Sequence, residues 1–276
     1  MIKLGEDKYY KVSGPLGQVV INNLFAWSVV EKHVIGRIYV DNEDAPRTIH
    51  VVHPYNMSFL FGRHDNNEFN SWFRDYALNT NKIRNKFEWM QAFPRSWDIV
   101  LERIFKDRLI RYEDNKVNKE NGIIELNTRV NFRFNPDKYE DFKKEILNTG
   151  FKIVRTDKEI FSEMKGSVVP MYFWNNEDDF YNNGIGFSLF YENNLASTAY
   201  SAFIHDRQLE LGIETIEAYR SKGFAQYACV ALIDYCLENN YEPVWSCRLE
   251  NTASYKLAQK LGFEPFRQFP YYRLSN

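Results

Sequence analysis

A mixed α/β (α+β) chain in two successive domains is what this sequence predicts. Strand-like alternation and helix-like apolar runs interleave from end to end. The order helix, hairpin, strand, helix, strand, helix, hairpin can be read twice along the chain. Its 276 residues, 44% hydrophobic and 17% aromatic, suffice for two ordinary cores and lie far from the composition of a disordered chain.

Leu24 to His33 is predicted helical, with Asn22 or Asn23 as its cap. Val34 to Val40 and Thr48 to His53 should form a hairpin, because Asp41-Asn-Glu-Asp-Ala-Pro46 between them is turn chemistry. Met57 to Phe61 is a third short strand. Asn67 to Leu78 reads as a helix with Phe69, Trp72, Phe73 and Tyr76 on one face. Phe87 to Phe93 is strand-like and stops at Pro94. Ser96 to Phe105 is a helix whose buried side is expected to hold Ile99, Val100, Ile104 and Phe105. Arg108 to Val117 and Ile123 to Phe134 are expected to pair as a hairpin around Asn121-Gly122.

The second half repeats that order. Lys138 to Leu147 is a helix, and Phe151 to Phe173 is irregular with short helical signals. Ile185 to Tyr191 and Leu195 to Ile204 form a hairpin around Glu192-Asn193-Asn194, and Leu209 to Ile216 is the third strand. Ala225 to Leu237 is an apolar helix without Gly or Pro, followed by the strand Val244 to Leu249. Asn251 caps a helix that ends at Gly262, and Phe263 to Arg273 is expected to be a last hairpin. The division is placed at Asn135-Pro136, giving domains 1–136 and 137–276. The first domain is then a degenerate copy of the second or, alternatively, an unrelated α/β lid.

Charge and composition exclude several functions. Net charge is −2 with both signs interspersed, so the basic field of a nucleic-acid-binding protein is missing. No run of about 18 apolar residues exists to span a membrane. The start, Met1-Ile-Lys-Leu-Gly-Glu-Asp, is charged where a secretory signal would be apolar, and the three cysteines are an odd count. A cytoplasmic location is therefore expected, with Cys229, Cys236 and Cys247 as small core residues. The five histidines include the near pair His50 and His53, without a carboxylate or thiol at ligand spacing, so no metal is expected.

The most informative stretch is Leu209 to Ala225. Strand, then Arg220-Ser-Lys-Gly223-Phe-Ala225, then helix is the order that aims free backbone N–H groups at a phosphate. Gly223 lets an anion approach without a Cβ in the way, and Arg220 and Lys222 add mobile positive charge. Alone, Arg-x-x-Gly-x-Ala is a common turn. Its weight comes from the downstream match, Asn251-Thr-Ala-Ser254 and Lys260-Leu-Gly-Phe263.

That ordered set resembles the GNAT N-acetyltransferase superfamily. It is most similar to the subgroup typified by zwittermicin A resistance acetyltransferases, through Phe173-Trp-Asn-Asn-Glu-Asp-Asp-Phe180, Gly184-Ile-Gly-Phe187, Glu210-Leu-Gly-Ile-Glu-Thr215 and Pro243-Val-Trp-Ser-Cys247. The resemblance implies a GNAT fold for 137–276, with a degenerate GNAT-like domain before it. It implies acetyl-CoA as acyl donor and transfer to the amine of a small molecule by direct attack. Backbone groups of Thr215 and Ile216 should pair with the pantetheine arm. The N–H groups of Ser221, Lys222, Gly223, Phe224 and Ala225, with Arg220, should receive the pyrophosphate. Asn251 and Ser254 match the downstream coenzyme motif, and Trp245, Ser246 and Cys247 should line the acceptor side. Trp174 and Phe180 could do likewise or belong to the core.

The amine must lose a proton, since only about one in 2,500 lysine-like amines is neutral at pH 7. Glu214 and Glu210 share a face of the strand that enters the turn, a strand that often supplies the base in this superfamily. Glu214, nearer the turn, is the expected catalytic residue; the plainer reading makes both carboxylates solvated or ion-paired. Many members carry a tyrosine general acid where this chain has Ala258, so that role is not carried over. Tyr255, one turn earlier, is expected to be structural. Against the enzyme stand an acyl-CoA-binding sensor and a tandem GNAT-fold aminoacyltransferase. The Phe61-Gly-Arg-His-Asp-Asn-Asn67 turn of the first half has no such glycine at the helix start, so no coenzyme is expected there.

Overall fold

The computed structural model describes residues 1–112, 122–146 and 150–276. Its elements begin with β1 (Ile2–Lys3), α1 (Ser13–Gly17), α2 (Leu24–Val30), β2 (Arg37–Val40), β3 (Thr48–His53) and β4 (Met57–Gly62). Then come α3 (Asn67–Ala77), β5 (Glu88–Phe93), α4 (Ser96–Phe105), β6 (Leu109–Arg111) and β7 (Ile124–Phe134). The later part holds α5 (Pro136–Ile146), β8 (Lys152–Arg155), α6 (Lys158–Glu163), α7 (Glu177–Asn183), β9 (Gly186–Tyr191), β10 (Asn194–His205) and β11 (Gln208–Thr215). The chain ends with α8 (Phe224–Glu238), β12 (Glu242–Val244), β13 (Ser246–Arg248), α9 (Thr252–Lys260) and β14 (Phe263–Leu274).

Two units result. The first is Met1–Val130 with Arg248–Glu250 and Arg267–Asn276; the second is Asn131–Cys247 with Asn251–Phe266. The units are therefore discontinuous in sequence, whereas domains 1–136 and 137–276 would be contiguous. The C-terminal strand is what crosses over, ending in the first unit.

The first unit is built on a sheet in the order β1-β2-β3-β4-β5-β14-β7. The β2–β3 turn is fixed by side chains: Asp41 accepts the N–H of Arg47 (2.9 Å) and of Thr48 (3.1 Å). All six residues of β3 are buried, as a central strand requires. Asn66 caps α3 by accepting the Phe69 N–H at 3.1 Å. Phe69, Phe73 and Tyr76 of α3 then pack with Trp97, Val100, Leu101 and Phe105 of α4 over the sheet. Cutting Phe73, fully buried, to alanine would cost about 3–5 kcal/mol. Arg84, 6% exposed, ties this core to the C-terminus by donating to the carbonyls of Tyr76, Ala77, Leu274 and Ser275.

Three expectations fail here. Ile99 is 74% exposed, because the buried stripe of α4 runs through Trp97, Leu101 and Phe105 instead. β6 and β7 pair in parallel, Leu109 with Ile124 through Arg111 with Leu126, so they are not a hairpin. Asn121 and residues 113–117 of the expected strand lie outside the described residues. The third is the last hairpin: Phe263–Leu274 is one continuous strand. It contains no Gly, Asn or Asp with which to turn.

The second unit has the sheet order β12-β11-β10-β9-β8, antiparallel except for β11 and β12. One face carries α8, whose Phe224, Ala228, Cys229, Leu232, Ile233 and Cys236 are buried. Burial pushes the Cys229 thiol above its ordinary range and the Cys236 thiol up to about 12, so both are inert core residues. Tyr139 of α5 fixes α8 from behind by donating to Val230 O and Asp234 Oδ1 at 3.1 and 2.8 Å. Within the region expected to be irregular with short helical signals, Phe151 to Phe173, lie the strand β8, the helix α6 and one 3-10 turn at Pro170–Tyr172. Leu147, expected at the end of α5, lies outside the described residues.

Candidate active site

The site starts where two strands part. β11 and β12 pair in parallel only at Gln208–Glu242, Leu209–Pro243 and Glu210–Val244. Trp245 ends the pairing. Its carbonyl accepts the Phe132 N–H at 3.1 Å, its indole N–H donates to Ser254 Oγ at 3.3 Å, and its ring packs on Phe263. With Trp245 committed there, β13 leaves the sheet, and among the described residues no strand covers Leu211–Thr215 on that side. The Ile216 N–H points the other way, donating to Ala196 O at 3.0 Å. Backbone groups alternate along a strand, so Leu211, Ile213 and Thr215 turn toward the open side. Ile216, expected to meet the pantetheine arm, is thus already engaged with β10.

The open edge runs into the turn. Ser221 stands at φ +61° and Gly223 at φ +83°, so left-handed residues interrupt the chain and curl its successive N–H groups inward. A Cβ at Gly223 would meet nothing closer than Gln226 Nε2 at 3.5 Å. Conformation, not crowding by the protein, therefore selects glycine here. Gly223 is the N-cap of α8 without a side-chain cap, and the first turn carries no acid. The roughly +0.5 charge of that helix end is left unanswered by the chain. Arg220 donates through Nε to Thr215 O (3.1 Å) and through Nη2 to Glu214 Oε1 (3.2 Å). The Lys222 ammonium lies 5.3 and 5.9 Å from the Tyr219 and Tyr191 rings, and Phe224 is buried against Tyr191 and Phe151. Ala225 continues the first turn.

The two carboxylates have different surroundings. Glu214 Oε2 accepts the N–H groups of Ser167 (2.9 Å) and Val168 (2.8 Å) and the Ser167 hydroxyl (3.4 Å), while Oε1 takes Arg220. Gly166 makes that approach possible, since a Cβ there would lie 2.6 Å from the carboxyl. Both oxygens of the expected base are thus committed to holding a loop and the turn. Glu210, 5% exposed, sits where the strands part and accepts the Ser246 hydroxyl from β13.

Of the expected acceptor-side residues, only Ser246 faces a carboxylate; Trp245 and Cys247 are 2% and 5% exposed. Trp174 and Phe180 pack on each other in the core. Asn251 caps α9 by accepting the Ser254 N–H at 3.2 Å, and Ser254 Oγ also receives the Trp245 indole. Tyr255 packs edge-on to Phe132, and Ala258 is fully buried. The loop 166–168 and the Glu210–Ser246 pair had no sequence signal, because each joins residues far apart in the chain.

The first unit lacks this arrangement. Its β4 and β5 stay paired from Met57–Trp89 to Phe61–Phe93, so no edge opens. The α3 end that follows is capped by Asn66 and carries Glu68 in its first turn. Among the described residues, no His, Cys, Asp and Glu group is placed to hold a metal, and no helix is long and apolar enough to cross a membrane.

Residues 18–272 match the GNAT acetyltransferase family. The match reaches far into the first half, where no motif was legible. Over 251 residues the chain is 28% identical to a Bacillus subtilis (strain 168) protein named uncharacterized N-acetyltransferase YdfB, covering 90% of this chain and 89% of that one. A GCN5-related N-acetyltransferase-like protein from Streptococcus suis superimposes with TM-score 0.69 at 19% identity, over 97% of this chain and 98% of that one. A tandem GNAT protein from the clavulanic acid biosynthesis pathway gives 0.62 at 8% identity, over 100% and 98%. At these identities the two structures speak for the fold, including its doubled form.

Proposed function

This chain belongs to the GNAT acetyltransferase family, and from that premise we propose that it acetylates the amine of a small molecule by direct attack in the second unit. Acetyl-CoA, the family's acyl donor, supplies an activated acetyl thioester when bound. The observation that carries the proposal is the open edge of β11 leading into an uncapped helix start. Leu211, Ile213 and Thr215 offer backbone groups to an extended arm, as an added strand would use them. The N–H groups from Ser221 to Ala225 take the pyrophosphate, with Arg220 and Lys222 beside them. Asn251 and Ser254 hold the start of α9 in place.

Glu214 positions Arg220 and the loop 166–168 rather than moving a proton. Glu210 takes the amine proton, with Ser246 orienting its carboxylate across the parting strands. Tyr255 is packing. The run from Phe173 to Phe180 supports a place in the zwittermicin A resistance-like subgroup.

The test is release of free thiol from acetyl-CoA with a panel of small amines. Amine-dependent release with an acetylated product is expected. Tight acetyl-CoA binding with no amine raising release above hydrolysis would favour an acyl-CoA sensor and sink the proposal.

A further inference from the structure

The first unit contains a cleft that acetyl transfer leaves unused. Its volume is about 890 Å³, within the roughly 300–1,000 Å³ of small-molecule sites. The walls come from the end of β1 and the segment after it, the start of β2, the tip of the β3–β4 hairpin and the segment leading into β5. Besides the buried Arg84, four cations line it: Lys3, Arg37, Lys82 and Lys86. Among the described residues none of the four has a side-chain ion pair or hydrogen bond. Neighbouring cations behave otherwise, Lys8 reaching Glu43 at 2.8 Å and Lys11 reaching Asp44 at 2.9 Å.

The carboxylates of the lining do not balance those charges. Glu88 is 3% exposed, accepts the Tyr76 hydroxyl at 2.6 Å and faces His50 Nε2 at 3.7 Å. The buried Arg84, whose N–H groups all go to carbonyls, offsets it from within. Glu6 alone remains, exposed, against four positive groups. Like charges brought together around one cleft repel unless an anion fills it.

We infer that this cleft binds a small molecule bearing several negative oxygens, a phosphate ester or a polycarboxylate, independently of the acetyl-CoA site. The charge here comes from mobile side chains, so recognition is of charge number, and affinity falls steeply with salt.

The experiment is calorimetric titration of the full chain with pyrophosphate and, separately, with citrate at low ionic strength. To silence the second unit, it uses the Gly223→Asp variant and, in parallel, the parent saturated with coenzyme A. Each should bind one anion. Adding Lys82→Glu with Lys86→Glu, both exposed, should weaken that binding at least about tenfold, while those two changes alone leave acetyl-CoA affinity as in the parent. Lys3→Glu gives the same reading if the pair does not fold. Preference for pyrophosphate identifies a phosphate ester, and preference for citrate a polycarboxylate. Absence of binding by both anions, or binding unmoved by charge reversal, overturns the inference.

Discussion

Gly223 separates the electrostatic part of coenzyme binding from the conformational part. Its φ of +83° costs an alanine roughly 1–2 kcal/mol, and no protein atom lies closer than 3.5 Å to the added carbon. Gly223→Ala should therefore fold, with a melting temperature lower by about 2–4 °C per kcal/mol. Asn and Asp adopt this backbone more readily, have nearly the same shape and differ by one charge. At about 5 Å and an effective dielectric near 20, one added negative charge opposes each pyrophosphate charge by roughly 3 kcal/mol. Exposure of the turn reduces this, so Gly223→Asp should bind acetyl-CoA roughly 30- to 150-fold more weakly than Gly223→Asn, a gap of about 2–3 kcal/mol. Calorimetry at fixed salt measures the gap. Thermal shift checks it, since the parent at 100 times Kd gains about 2.7 kcal/mol. Equal affinities for the folded Asn and Asp variants would place the diphosphate away from this turn and refute the reasoning.

Glu210→Gln should lower kcat by about 10²–10⁴ and remove the acid limb of the rate profile; an unchanged limb would return the base to Glu214 or water. Glu214→Gln should instead raise KM for acetyl-CoA by loosening Arg220, with the pH profile of kcat intact, and a lost limb there would reverse the assignment. Tyr255→Phe should keep kcat within a few-fold, because the ring still packs on Phe132; a loss of about 100-fold, near 2.7 kcal/mol of barrier, would make the hydroxyl catalytic. Burial holds the His53 imidazole down to about 3. Its folded value thus lies below the unfolded one, so stability is full above about pH 6.5 and falls as the solution is acidified. Between about pH 7.5 and 5 the loss from this group is about 2 kcal/mol. Since Nδ1 accepts the Tyr55 N–H, His53→Asn should keep an acceptor and flatten the acid loss of unfolding free energy; an equally steep loss in the variant would assign it elsewhere.

What the sequence made legible was local. The turn after Asp41, the Asn251 cap and the Gly223 helix start depend on residues within a few positions of one another. The strand β11 was readable from its alternation to within one residue at each end, Leu209 to Ile216 against Gln208–Thr215. Other features depend on partners that no periodicity reports. The direction of β6 is set by β7, and the straightness of β14 by the strands beside it. In the site, Glu214 and Glu210 are equivalent in sequence: two glutamates on one face of one strand. They are distinguished by Ser167 and Val168 at one and Ser246 at the other, each far away in the chain.

The same non-local pairing explains why two units of similar strand order differ in chemistry. Opening an edge requires the parallel strand to leave its neighbour, and a strand leaves only when its own backbone groups are satisfied elsewhere. In the second unit β12 is the edge of its sheet, and after departure at Val244 the Trp245 carbonyl is met by the Phe132 N–H and its indole N–H by Ser254. In the first unit the corresponding strand, β5, is held on both sides. β4 pairs with it along Met57–Phe61, and β14 pairs with its other edge at Tyr272–Met90, Arg273–Trp89 and Leu274–Glu88. The Trp89 ring also stacks on Tyr271 at 4.8 Å. Parting β4 from β5 would break main-chain hydrogen bonds, each costing about 1–3 kcal/mol when its groups are left buried and unmet. An arriving ligand arm would also meet a helix end already occupied by Asn66 and Glu68. The first unit is thus closed to an inserted strand by the C-terminal strand itself, and any ligand it takes must enter by another surface.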